Sequence, residues 1–242
     1  KNAGIPAIHL SNSQADLLFK SFGWSRQLIQ ETMNNSMETI TFELPSEIIT
    51  ASVNLIPIQV RAANVVGLIQ SGNREYRDEY VVIGAHFDHI GMGGPGTGSR
   101  KPDTLGIHHG ADDNASGTAG ILEVAQKLVS KKSRLKRSIL ILGFDAEEKG
   151  LLGAKYFVEH PTVDLEKIVT MVNMDMVGRM KDSTATVGGV GTSPLFEPML
   201  DSLSINRNFT LNMTQPGYGP SDHAAFYTKD IPVLFFFSGF HS

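Results

Sequence analysis

The sequence predicts an α/β fold, a three-layer sandwich with helices on both faces of a mixed, largely parallel sheet. Three observations predict it. From residue 64 onward, short β-branched runs alternate with amphipathic helical patterns. The run Ser138–Phe144 (SILILGF) is continuously apolar, as suits a strand covered on both faces. The segment 116–129 sets Ile121, Leu122, Ala125, Leu128 and Val129 on one stripe at helical period.

Residues 1–60 differ in texture from the rest. Residues 4–10 read as a short strand, and Ser13 opens a helical pattern with Ala15, Leu17, Leu18 and Phe19 inside it. Residues 39–44 alternate as an exposed strand does. This stretch is too small to bury a good core of its own. The sheet then starts with strands over Val65–Ile69 and 80–85, separated by the turn residues Ser71-Gly72-Asn73. After the 116–129 helix come the strand Ser138–Phe144, a helix over 150–158 stopped by Pro161, and the strand Ile168–Met174. A helix over 194–203 and a last buried strand over 231–237 complete the pattern. The Gly-rich stretch 91–98 is too long for a tight turn and reads as a surface loop near a site.

Composition narrows the function classes. The 242 residues are 41% hydrophobic and 19% charged, with a net charge of −4. No long basic run is present, which argues against nucleic acid as a partner. The densest basic stretch, 131–137, reads as a solvated helix end. The absence of cysteine excludes a disulfide scaffold, a thiolate metal site and a cysteine nucleophile together. The longest apolar run, 231–237, is far short of the roughly 20 residues that cross a bilayer. A start at Lys1, with neither Met nor a signal-like segment, predicts a chain processed or cut from a longer precursor.

Chemistry gathers where the strands end. In open α/β sheets functional groups collect at the carboxyl edge. One strand runs into His86-Phe87-Asp88, the next into Asp145-Ala146-Glu147-Glu148, and a third into Asp175. Asp112-Asp113-Asn114 precedes a helix, and Ser221-Asp222-His223 precedes the last strand. Singly, each has a bland explanation: a helix cap, a dipole partner or a hydrogen-bonded pair. Together on one edge, these groups would repel one another and resist burial unless cations neutralise them. Imidazoles and carboxylates without sulfur suit zinc, with manganese or cobalt as substitutes.

The motifs His86-x-Asp88, Gly110-Ala111-Asp112-Asp113-Asn114-Ala115-Ser116-Gly117, Asp145-Ala146-Glu147-Glu148-x-Gly150-Leu151-x-Gly153, Asn173-x-Asp175-Met176 and Ser221-Asp222-His223 resemble, in order and spacing, the M28 family of co-catalytic zinc aminopeptidases. The resemblance implies two zinc ions bridged by Asp113. His86 and Asp175 would complete one site, and Glu148 and His223 the other. Glu147 matches the family's general base, and Asp88 the carboxylate that orients His86. Tyr218 is a candidate for oxyanion stabilisation. His108, His109, Met176 and Phe226 are candidate walls for the first side chain.

The resemblance further implies a peptide substrate with a free N-terminus and a secreted or periplasmic setting. It divides the chain into a partial protease-associated-like segment over 1–60 and a peptidase domain over 61–242, expected to stop short of a further family loop. Alternatives on the same fold are a zinc-dependent glutaminyl cyclase, a carboxypeptidase or dipeptidase, and a binding module without catalysis.

Overall fold

Strand-forming runs of Val, Ile and Leu build the sheet, and their alternation decides which helix covers which face. The computed structural model describes residues 9–37, 39–40 and 59–240. The chain divides into two units, Lys1–Ile58 and Gln59–Ser242.

In the first unit, helix α1 (Asn12–Ser21) starts at Ser11, whose hydroxyl accepts a hydrogen bond from Gln14 N. Helix α2 (Arg26–Ser36) starts at Ser25 in the same way, accepting from Leu28 N. Arg26 donates to Asp16 at 2.6 Å and ties the two helices together. Neither helix buries a residue. The strands expected over 4–10 and 39–44 lie mostly outside the described residues, and residues 9–10 and 39–40 are not in strands.

The second unit holds a seven-stranded sheet. Its strands are β1 (Val65–Ile69), β2 (Tyr80–His86), β3 (Ser138–Phe144), β4 (Ile168–Met174), β5 (Thr184–Gly188), β6 (Thr210–Met213) and β7 (Val233–Phe237). They lie in the order β1-β3-β2-β4-β7-β5-β6. The four central strands β3, β2, β4 and β7 run parallel, while β1 and the β5–β6 pair run against them. The expected mixed, largely parallel sheet is what forms. The four parallel strands all end on one edge, which therefore carries His86, the residues after Phe144, and those after Met174.

Helices α3 (Gly117–Ser130), α4 (Leu152–Glu159), α5 (Phe196–Ser204) and α6 (His223–Tyr227) flank this sheet. Val82, Leu140, Leu142 and Phe144 point to one face and pack with Ala154 and Phe157 of α4 and Phe226 of α6. The alternate residues Ile83, Ala85 and Ile139 point to the other face and meet Ile121 of α3. Phe196 and Leu200 of α5 pack on Leu234, which alternation aims away from Val233. The layers are thus α4 and α6, sheet, then α3 and α5. Gly84 allows a close approach within the core: a Cβ there would stand 2.6 Å from the Phe144 ring. Phe144 then meets Phe226 edge to face at a centroid distance of 6.0 Å, and Phe226 stacks on Phe157 at 5.7 Å.

Two strands, β5 and β6, go unanticipated by the sequence reading. Both are short, and TATVG and TLNM carry little of the apolar run that marks a buried strand. The helix expected from Gly150 begins at Leu152. Its first turn is replaced by backbone bonds from Gly150 N and Leu151 N to Glu147 O.

Candidate metal centre

His86 is the last residue of β2 and is only 1% exposed. Its Nδ1 lies 3.1 Å from the carbonyl of Asp88, and its own carbonyl accepts from Thr118 Oγ1. The first contact fixes the tautomer and turns Nε2 into the site. The Asp88 carboxylate, expected to orient His86, stands 3.6 Å from Nδ1, beyond a good hydrogen bond. It instead accepts from Glu147 N at 2.9 Å and Glu148 N at 3.2 Å. Asp88 thus orients His86 through its backbone, while its side chain positions the Glu147-Glu148 turn.

That turn follows β3. Ala146 takes a left-handed conformation (φ 57°), which reverses the chain sharply, so Glu147 and Glu148 can point differently. Met176 does the same after Asp175 (φ 52°), with its carbonyl held by Ser238 N and Oγ. Strained non-glycine backbone of this kind persists only where the surroundings fix it.

Asp113 sits in the irregular turn before α3, and its neighbour Asn114 locks that turn to β4. Asn114 is buried; its Nδ2 donates to Met174 O, and its Oδ1 accepts from Gly117 N and Met176 N. Ser116 Oγ and Asp112 Oδ1 accept from Val177 N and Gly178 N, adding two further stitches. Two loops some 60 residues apart in the chain thereby bring Asp113 and Asp175 to one place.

The donors converge. His86 Nε2 lies 3.3 Å from Asp113 Oδ1 and 3.4 Å from Asp175 Oδ1. Ligands around a tetrahedral zinc at its usual bond lengths sit about 3.3 Å apart, so this triangle fits the ion. His86 Nε2 and Asp175 Oδ1 are also buried without a hydrogen-bond partner, as befits atoms meant for a cation. A second cluster shares Asp113 and adds His89 and Glu148.

His223, expected beside Glu148, is in neither cluster. Its ring stacks on Phe235 at 4.3 Å, and its buried Nδ1 has no hydrogen-bond partner. It lines, with Asp113, Glu147, Glu148, Asp175 and Tyr218, a cleft of about 480 Å³. Tyr218 is 71% exposed on the rim. Flanking Gly217 presses on Tyr227 and Thr192, and Gly219 on His223, so no side chain could replace either. Among the candidate wall residues Met176 lines the cleft, but Phe226 is packed into the core, where its position on α6 turns it. His108 points back to Ser99 Oγ at 3.0 Å.

Electrostatics bear the mark of crowding. Burial, with Asp175, Glu148 and Asp113 assisting and His86 opposing, pushes the Glu147 carboxyl up to about 7. Burial and the Asp113 charge likewise raise Glu148, against the pull of His89. Burial would depress His86, but Asp113, Asp175 and Asp88 outweigh it and raise it. Burial lowers His223 to about 4, only partly opposed by Asp175. Asp222, given no role by the sequence reading, is fully buried with both oxygens unpartnered, and burial drives its proton affinity well up. Its place between Ser221 and His223 was the only signal for it. His89 was equally unassigned, although it directly follows Asp88.

Residues 64–242 match the model of peptidase family M28. The chain belongs to that family. Among M28-type relatives, leupeptin-inactivating enzyme 1 of Streptomyces exfoliatus is 30% identical over 138 residues, 57% of this chain and 31% of that protein. Leucine aminopeptidase 2 of Trichophyton equinum is 27% identical over 190 residues, covering 73% of this chain and 33% of its own. The chain thus spans about a third of the length of these relatives. A zinc aminopeptidase structure from Bacillus subtilis superposes with a TM-score of 0.56 at 28% identity, covering 73% of this chain and 40% of that one. A glutaminyl cyclase from Porphyromonas gingivalis shares the fold, with a TM-score of 0.53 at 22% identity over 72% of this chain and 62% of the other. The M28 assignment covers the whole sheet and every clustered donor. Among the described residues no helix is long and apolar enough to cross a membrane.

Proposed function

We propose that this M28 chain carries the catalytic machinery of a zinc exopeptidase that removes N-terminal residues from peptides, using two metal ions. The observation that carries the reading is the triangle of buried His86 with Asp113 and Asp175, His86 Nε2 standing at zinc-ligand spacing from both carboxylates, beside a further acid, Glu147, in the same cleft. In this reading His86, Asp113 and Asp175 hold one cation, and Asp113, Glu148 and an imidazole hold the other. When bound, the cations supply Lewis acidity toward the scissile carbonyl and make nearby water more acidic.

The chain's own residues do the rest. Glu147, which lines the cleft beside Asp113, Glu148 and Asp175, accepts a proton from water and returns it to the leaving amine nitrogen. Asp88 holds the Glu147 backbone, so the carboxylate does not swing away. Tyr218, on the cleft rim, offers its phenol to the oxygen that gains charge. Met176, Phe235 and Phe237 line the same cleft and suit an apolar first side chain. By family resemblance the setting is secreted or periplasmic, with residues 1–60 a partial protease-associated-like segment beside a peptidase domain over 61–242.

The reading is tested by incubating the zinc-loaded chain with an unblocked peptide, its N-acetylated twin and a peptide beginning with Gln, with products read by mass spectrometry. Stepwise loss of N-terminal residues from the unblocked peptide alone supports it. Trimming from the C-terminus, or loss of ammonia from the Gln peptide without cleavage, overturns it in favour of a carboxypeptidase or a cyclase.

A further inference from the structure

We infer that Asn64 is a positioning residue for Glu147: its side-chain amide pins the base of the loop 145–153 that carries this acid. The role rests on the exopeptidase reading above. The loop closes on itself where Gly153 N donates to Asp145 O at 2.9 Å. In a facing pair of residues the reverse bond, from Asp145 N to Gly153 O, would follow. Asn64 relays it instead: its Oδ1 accepts from Asp145 N at 3.2 Å, and its Nδ2 donates to Gly153 O at 2.8 Å. A primary amide suits the task because it carries an acceptor and donors side by side. The approach leaves no room for a side chain at 153, since a Cβ there would collide with Asn64 Oδ1 and with the Asp145 backbone.

Strand β1 delivers Asn64 to this place. Val65 pairs with Gly143 in antiparallel register, so the residues before Val65 run past the end of β3, where the loop departs. Ala63 N adds a bond to Asp145 Oδ2 at 3.0 Å, while Asp145 Oδ1 accepts from Ala146 N. The loop needs such fixing. Ala146, Gly150 and Leu151 have φ values of 57°, 101° and 61°, and two of the three are not glycine. Within the loop, Gly150 N and Leu151 N both donate to Glu147 O at 2.8 Å, which ties the acid's backbone to the limb that returns to Gly153. Asp88 holds the tip through Glu147 N and Glu148 N, and Asn64 holds the base. Freeing the base lets Glu147 shift relative to His86 and Asp175, which other strands carry. A misplacement of about 1 Å can cost about 100-fold in rate.

Asn64→Ala, Asn64→Asp and Leu200→Ala are compared with the parent. Leu200 lies in the core beneath α5 and provides a destabilising change away from the loop. Amide hydrogen exchange of each metal-free chain is followed by mass spectrometry. For the zinc-loaded chains, kcat and KM are measured on an unblocked leucyl peptide, with bound zinc counted. Asn64→Ala is expected to exchange about 10-fold or more faster over 145–153 with α3 unchanged. Its kcat is expected to fall about 10- to 100-fold with KM little changed. Asn64→Asp keeps the acceptor for Asp145 N and loses the donor to Gly153 O, so it falls between. Leu200→Ala loses stability yet keeps the parent's loop exchange and kcat. If Asn64→Ala does not fold, Asn64→Asp carries the same two tests. Unchanged exchange over 145–153 shows no pin, and faster exchange with the parent's kcat shows a pin that does not place Glu147. Either result, or an equal loss of kcat in Leu200→Ala, overturns the inference while the exopeptidase reading stands. A parent that releases no N-terminal residue overturns that reading, and this role for Asn64 with it.

Discussion

Asp88 and Glu147, 59 residues apart in the chain, are joined side chain to backbone: Asp88 Oδ1 accepts from Glu147 N at 2.9 Å, while Oδ2 accepts from Glu148 N. One carboxylate therefore sets the position of both the proposed base and a proposed metal donor. Asp88→Ala strands two amide N–H groups and frees the turn. We expect kcat to fall by about 10- to 100-fold with KM little changed, as measured by steady-state hydrolysis of a leucyl-nitroanilide.

Glu147 gives the metal-free chain a pH signature. Its carboxyl is raised from 4.5 to about 7, so the folded state holds its proton more tightly than the unfolded state does. Its contribution to stability is full below about 4.5 and disappears as pH rises to about 7. Glu147→Gln removes that loss. In EDTA the variant is expected to melt near the parent at pH 4.5 and clearly above it at pH 8, by scanning calorimetry. Equal melting temperatures at pH 8 would contradict the burial cost assigned to this acid.

Asn114 is the hinge pin between the Asp113 turn and the end of β4, with three hydrogen bonds from a buried side chain. Asn114→Ala removes them and leaves Gly117 N, Met176 N and Met174 O to find other partners. A loss of about 2–4 kcal/mol is expected from urea denaturation, together with weaker binding at the His86 cluster. An effect on stability without any effect on metal affinity would show that the turn does not set Asp113.

Metal removal is itself a prediction. Asp113, Glu148, Asp175 and Glu147 crowd a partly buried cleft, and a cation relieves their repulsion. Free zinc at about 1,000 times its Kd should stabilise the chain by about 4 kcal/mol over the chelated state. Thermal unfolding with zinc and with EDTA measures the difference.

Much of this was legible in the sequence because burial on both faces writes itself as runs rich in Val, Ile and Leu, continuous in β3 and nearly so in β2 and β4. Strands at the sheet margin, such as β5 and β6, leave no such mark. The donors at strand ends were legible for a related reason: parallel strands deliver all their carboxyl ends to one edge, so the placement of His86, Glu147, Glu148 and Asp175 follows from topology. Side-chain direction within a motif was not. Phe226 was a candidate wall, but three residues along α6 from His223 it faces the core. His89 carries no assignment in the sequence reading, since nothing in its spacing shows that its ring meets Glu148. Asp88 itself shows the limit best, because its backbone and carboxylate serve two different partners.

The central claim is that Glu147 moves the proton for metal-dependent cleavage at a free N-terminus. The most direct measurement is hydrolysis of leucyl-nitroanilide by the zinc-loaded parent and by Glu147→Gln, with bound zinc counted in both. The account predicts equal zinc in the two proteins and a rate about 10²- to 10⁴-fold lower in the variant. Equal zinc with an undiminished rate in Glu147→Gln would contradict it.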